Sequence, residues 1–470
     1  MADARRGSTP RAAAGAVPAH LTRAVPEVYA YVVTARLPPL QTLKTPTGTH
    51  QRANDQNAVA KVVDEIVSAV AAEGDEAVRR YSGRLDNWQP PSFRLSEEEL
   101  AASLERVPAQ VLDDIRFCQE QVRAFARAQR ETMVDLELET LPGVRLGHRH
   151  IPLGSVGAYV PGGRYPMVAS AHMSIVTAKV AGVERIAACT PPLDGRLPDA
   201  TVAAMHLAGA DEIYVLGGVQ ALAALALGTE TIEPVDFLVG PGNAFVVEAK
   251  RRLFGKVGID LVAGPTEILV VADETADPVI VAADLLGQAE HGPASPAVLV
   301  TTSQPLAEET LRQVAAQLEG LPTAEIAARA WEDYGEVVVV ASDDEALEVA
   351  DAYAFEHVEI QTADPRWYLD RMRNYGALFL GEATTVAYGD KTIGTNHILP
   401  TGGAARYTGG LWVGKFLKTV TFQECDEAAS ALIGEICARQ CRIENFEGHA
   451  RSCDVRVEKY GAPALAEEPA

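Results

Sequence analysis

A chain of 470 residues, 47% of them hydrophobic, is long enough for two or more buried cores. Its formal net charge of −23 argues against nucleic acid or an anionic membrane surface as a partner, because both select clustered Lys and Arg. No run approaches the ~18 apolar residues of a membrane span, and six cysteines without a secretory leader fit a reduced, cytoplasmic setting.

Residues 1–42 form an extension rich in Ala, Pro and Arg, which reads as a disordered tail, as a mis-assigned start or as an Arg-rich, acid-poor organelle leader. Val59, Val62, Val63, Ile66 and Val70 then follow helical spacing, and Ser96 with Glu99 predicts a capping box for a further helix. From Val156 short apolar runs alternate with helical segments: VGAYVP, RIAACTPP, EIYVLGG and DFLVGPG, then EILVVAD, AVLVTTS, EVVVVAS and ALFLGE. That alternation predicts an α/β fold with two Rossmann-like parallel-sheet domains, each sheet covered on both faces. The turn Gly240–Asn243 is followed by Ala244 and Phe245, so the glycine-rich dinucleotide fingerprint is absent.

Candidate chemistry concentrates in the second half. In DLLGQAEHGP, Pro278 suits a first helical position and Gly292-Pro293 a stop, which puts Gln288 and His291 on the last turn and on one face. A helix C-terminus favours a cation there; the same pair also reads as solvated capping groups. Glu356-His357 sets a carboxylate beside an imidazole among apolar residues, a pairing suited to proton transfer. The polar loop YGDKTIGTNHILPTGG contributes Asp390 and His397, and IENFEGHAR contributes Glu444 and His449. Together Gln288, His291, Asp390 and His449 offer two imidazole nitrogens and two oxygens, a set that suits Zn²⁺. Cys437 and Cys441, one helical turn apart, read as packing residues in the absence of a second such pair.

From about Leu43 to Tyr460 the chain resembles the histidinol dehydrogenase family. The resemblance rests on AYVPGG at 158–163, AKVAG at 178–182, GGVQALAALALGTE at 217–230, GPGNAFVVEAK at 240–250, GIDLVAGPTE at 258–267, QAEHG at 288–292, FEHVEI at 355–360 and GTNHILPT at 394–401. It implies a homodimeric enzyme that uses zinc and NAD to oxidise a primary alcohol through a retained aldehyde to a carboxylate, L-histidinol to L-histidine by default. By motif position, Gln288, His291 and Asp390 would hold zinc together with a His449 contributed across the dimer. His357 would be the general base, and Glu356 would activate the water that hydrates the aldehyde. Tyr159, Gln220 and Asn243 would contact NAD; Thr266, His397 and Glu444 would contact substrate. The implied domains are 43–155 with 267–405, with 156–266 inserted as the NAD-binding domain, and 406–470 as a C-terminal helical arm.

Some segments depart from the biosynthetic enzymes. Arg164-Tyr165 follows VPGG where small residues are usual, Ser174 stands where Asn is common, and Thr266 replaces Ser. GGRY, VAYGDK, YTGGL and EGHAR are more similar to the sulfopropanediol dehydrogenases, which act on 2,3-dihydroxypropane-1-sulfonate. A guanidinium at Arg164 could pair with such a sulfonate; the same residue also reads as a solvated surface arginine. A zinc-dependent hydrolase using Glu356 as base is a further alternative, and it would form no NADH.

Overall fold

The computed structural model describes residues 40–47, 52–162, 166–262 and 264–461. Most of the expected extension and Arg164 fall outside them, although the first strand already begins at Gln41, inside the expected 1–42. The strands are β1 (Gln41–Lys44), β2 (Leu136–Leu141), β3 (Val144–Pro152), β4 (Ser155–Tyr159), β5 (Arg185–Thr190), β6 (Glu212–Val215) and β7 (Phe237–Val239). After them come β8 (Gly258–Ile259), β9 (Ile268–Ala272), β10 (Ala297–Thr301), β11 (Gly335–Val339), β12 (His357–Gln361), β13 (Ala377–Leu380) and β14 (Leu417–Cys425).

They build two largely parallel sheets and a smaller antiparallel one, β14-β3-β2. The first runs β6-β5-β4-β7-β8 and is parallel throughout. The second runs β1-β11-β10-β9-β12-β13, parallel except for the antiparallel edge strand β1. In both, the strand order reverses beside the first strand of the unit, β4 or β9, the doubly wound arrangement. The cause is in the composition: continuous apolar runs such as Ile268-Leu269-Val270 and Val298-Leu299-Val300 are buried on both faces.

The helices differ from the expected partition. Arg52–Glu73, Asp75–Asp86, Glu97–Arg106 and Ala109–Glu131, expected with the second sheet, cover the first instead. Val63, Ile66 and Val70 share a core with Leu222 and Leu238, while Ile115 and Val122 share one with Val156 and Ile186. Among the described residues before β2, only β1 joins the second sheet. The C-terminal arm is likewise not wholly helical, because β14 pairs antiparallel with β3 over nine residues before the hairpin of Glu427–Ile443 and Glu447–Tyr460 begins.

Candidate active site

One cavity of about 340 Å³ lies between the two sheets. Met167, Pro241 and Gly242, beyond the carboxyl ends of β4 and β7, line one side. Thr266, Glu356 and His357, at the amino ends of β9 and β12, line the other, joined by His291, Asp390 and His397.

Local backbone explains the position of Glu356. The helix Asp343–Tyr353 stops at Ala354, which adopts a left-handed conformation (φ 52°), so the chain turns sharply into β12. Gly376 packs against that turn, where a Cβ would stand 2.5 Å from the Glu356 carbonyl oxygen. Any larger residue would push Glu356 out of place. Glu356 Oε1 then accepts from the Thr266 hydroxyl and from the Glu267 N–H at 3.1 Å.

Gln288 sits behind this pair, buried on the last turn of the helix Pro278–Ala289. Its amide donates to Thr266 Oγ1 and lies 3.2 Å from His357 Nδ1. The same Nδ1 is 3.1 Å from the Glu267 carbonyl. A proton on Nδ1 satisfies that carbonyl and leaves Nε2 facing Asp390 Oδ1 at 3.4 Å, an ion-pair separation whose angles do not make a hydrogen bond. His357 Nε2 is therefore a buried polar atom with no hydrogen-bond partner among the described residues.

Electrostatics sharpen the roles. Burial opposes a charged His357, but the carboxylates of Glu356 and Asp390 outweigh it and hold its pKa well above the ordinary value. Burial also opposes ionisation of Asp390, yet the pull of His357, with His397 and Lys391, holds that carboxyl well below the usual range. His291 is shifted down by burial, which the Asp390 charge only partly offsets. Burial lowers His397 to about 4; its Nε2 lies 2.9 Å from Ser170 Oγ and its Nδ1 3.1 Å from the Asp390 carbonyl oxygen.

A neutral imidazole at His291 and an ionised carboxylate at Asp390 are chemically suited to a borderline divalent cation. They do not complete a shell. Among the described residues, His291 and Asp390 belong to no group of three His, Cys, Asp or Glu ligand atoms lying within 4.8 Å of one another. Glu444 and His449 are exposed on the C-terminal hairpin and do not line the cavity.

The three positions expected to contact NAD lie on the first sheet and its covering helices. Tyr159 ends β4, buried, and its hydroxyl accepts the Gly218 N–H at 3.3 Å. Gln220 is buried and donates to Asp86 at 3.0 Å. Asn243 is exposed and caps the helix Ala244–Leu253 by accepting from Phe245 and Val246 N–H.

Sequence reading missed several supporting groups. The helix expected to run to Lys179 contains a π-helical turn, His172–Val176, between Val168–Ala171 and Thr177–Ala181. Such turns recur at functional sites, and this one follows Ser170, the partner of His397. His172 reads as an ordinary core histidine in sequence, as does Lys250 as a surface lysine; no local pattern marks either.

An α/β chain with a titratable cavity between two doubly wound sheets has the form of an α/β enzyme. The family described as histidinol dehydrogenase matches residues 49–457, and the chain belongs to that family of oxidoreductases. It is 58% identical over 421 residues to a histidinol dehydrogenase homolog of Shouchella clausii, covering 90% of this chain and 99% of that protein. It is 47% identical over 410 residues to the sulfopropanediol 3-dehydrogenase of Ruegeria pomeroyi, covering 87% and 94%. The crystal structure of histidinol dehydrogenase from Elizabethkingia anophelis superimposes with a TM-score of 0.83 at 31% identity, covering 93% and 97%.

Proposed function

We propose that the protein oxidises a primary alcohol through an aldehyde to a carboxylate with zinc and two equivalents of NAD, L-histidinol to L-histidine being the family default. The observation that carries the reading is the convergence of Thr266, Glu356, His357, His291, Asp390 and His397 on one cavity. Zinc, held by Gln288, His291, Asp390 and His449 of the partner subunit, would supply Lewis acidity and a template, and NAD the hydride acceptor.

The chain's own groups do the rest. With the Asp390 charge taken up by a bound cation, His357 would lose the field that keeps its ring protonated, and Nε2, which has no hydrogen-bond partner among the described residues, would accept the alcohol proton. Glu356, fixed through Oε1 by Thr266 and Glu267, takes the proton of the water that adds to the aldehyde. Thr266 and His397 hold substrate from the cavity wall, and Glu444 from the second copy. Tyr159, Gln220 and Asn243 serve the dinucleotide: Asn243 opens a helix beyond β7, beside the strand-order reversal where open α/β sheets bind such ligands.

The reading includes a homodimer: Glu444 and His449 do not line the cavity of their own chain, so a second copy would have to supply them. The arm also exposes Leu432, Ile443 and Phe446, an apolar surface suited to docking on a second copy.

Substrate choice has two readings. Among the described lining residues the cavity carries Glu356 and Asp390 and no Lys or Arg, which suits a cationic substrate such as L-histidinol. The sequence similarity to a sulfopropanediol 3-dehydrogenase favours 2,3-dihydroxypropane-1-sulfonate, with Arg164 pairing the sulfonate. Hydrolysis has no support beyond the missing glycine-rich loop. The test offers both alcohols in parallel with NAD and zinc and follows NADH absorbance. Turnover of L-histidinol alone supports the default and turnover of the sulfonate alone the second reading; NADH formation from neither overturns both.

A further inference from the structure

Among the described residues, the densest group of metal-binding side chains lies outside the cavity. Cys437 and Cys441, one turn apart on Glu427–Ile443, meet Cys453 of Glu447–Tyr460 across the hairpin, and the three Sγ atoms all lie within 4.8 Å of one another. Cys437 Sγ and Cys441 Sγ are 3.9 Å apart. Thiolates around a tetrahedral zinc with Zn–S bonds of about 2.3 Å would stand about 3.8 Å apart, so small rotations of the side chains close the triangle. Ligands spread over the separate irons of an iron–sulfur cluster would lie farther apart than this.

The backbone is arranged to hold the three together. Gly434 packs against the second helix, where a Cβ would stand 2.7 Å from Val457 Cγ2, and Ala438 and Ala450 are buried. Arg442 bridges the helices through Asp454 at 2.6 Å and Glu447 at 3.2 Å, so it does not compete as a cation at the thiols. None of the six cysteines is in a disulfide.

We propose that Cys437, Cys441 and Cys453 form a three-thiolate site for a thiophilic divalent ion, zinc in particular, with water at the fourth corner. Each thiol that binds the ion releases its proton, leaving a thiolate. The ion crosslinks the two helices of the arm. Insofar as the dimer reading above holds, it also fixes the hairpin that carries Glu444 and His449.

The test uses the full chain, reduced with a phosphine, stripped of metal and titrated anaerobically with Co²⁺. The three-thiolate site gives a sulfur-to-cobalt charge-transfer band in the near ultraviolet that added Zn²⁺ removes. The cavity, built from nitrogen and oxygen donors, gives none, so the outcome is independent of whether the cavity binds metal. The triple variant C437S/C441S/C453S loses the band and one equivalent of bound metal per chain. Should that variant fold poorly, C453S alone weakens the cobalt affinity of the band at least tenfold. A reduced wild-type chain without the band, or purified chain with two of these cysteines joined as a disulfide, overturns the proposal.

Discussion

Lys250 and Asp260 face each other as an ion pair in the interior of the first sheet's domain, both side chains almost wholly out of solvent. Lys250 also donates to the Gly240 carbonyl at 2.9 Å, while Asp260 accepts the Gly240 N–H at 2.9 Å and the Leu261 N–H at 2.7 Å. Gly240 is pressed against Tyr159, where a Cβ would lie 2.0 Å from the Tyr159 carbonyl oxygen. The pair thus pins the turn that delivers Pro241 and Gly242 to the cavity. Removing one partner leaves a buried charge: Lys250→Met is expected to destabilise the fold by about 3–5 kcal/mol, measured by urea denaturation. A loss below about 1 kcal/mol would show that water reaches the pair.

His172 predicts a pH dependence. Gln119 Nε2 donates both to His172 Nδ1 at 3.1 Å and to the Ala204 carbonyl at 2.9 Å, so the buried ring is an acceptor and neutral. Burial, then the neighbouring His397, lowers its pKa from 6.5 to about 4. Above pH 6.5 the ring is neutral in folded and unfolded chains alike and adds no slope. Below it the unfolded chain binds the proton first, so stability falls as pH drops toward 4, by about 2 kcal/mol from this group between roughly pH 7 and 5. His172→Gln should flatten the urea-midpoint profile over that range, leaving the share of His397. An unchanged profile would show that His172 titrates normally.

The catalytic pair predicts a larger loss. Glu356→Gln and His357→Asn should each lower kcat about 10²- to 10⁴-fold. Because both serve one reaction, the double variant should fall well short of the product of the two effects. Steady-state turnover with NAD measures this, and unchanged turnover in the double variant would remove both residues from the chemistry.

Arg164 predicts a difference between substrates. If the sulfonate is turned over, Arg164→Ala should raise its KM at least tenfold, the loss of one charge-assisted pair of about 1.5–3 kcal/mol, and leave L-histidinol kinetics within about twofold. Equal effects on both substrates would make Arg164 a structural residue.

Particular residues show how much of this was legible in the sequence. The strands were, because runs such as Val337-Val338-Val339 fit only a sheet covered on both faces. Glu356 and His357 were, because they are adjacent in sequence. Which sheet the early helices cover was not: Val63, Ile66 and Val70 define an apolar face without naming its partner. Strand β14 was missed because its residues after Leu417 are exposed, so Val420 and Phe422 give no core signal. Cys453 could not be joined to Cys437 and Cys441 by spacing, since a helix–turn–helix reversal brings it there.

The stoichiometry of NADH tests the central claim most directly. With limiting alcohol, excess NAD and added zinc, NADH formed is compared with alcohol consumed and carboxylate produced. Passage through the aldehyde to the carboxylate predicts two NADH per alcohol with no free aldehyde accumulating. One NADH per alcohol with aldehyde as the product, or consumption of substrate with no NADH, would contradict it.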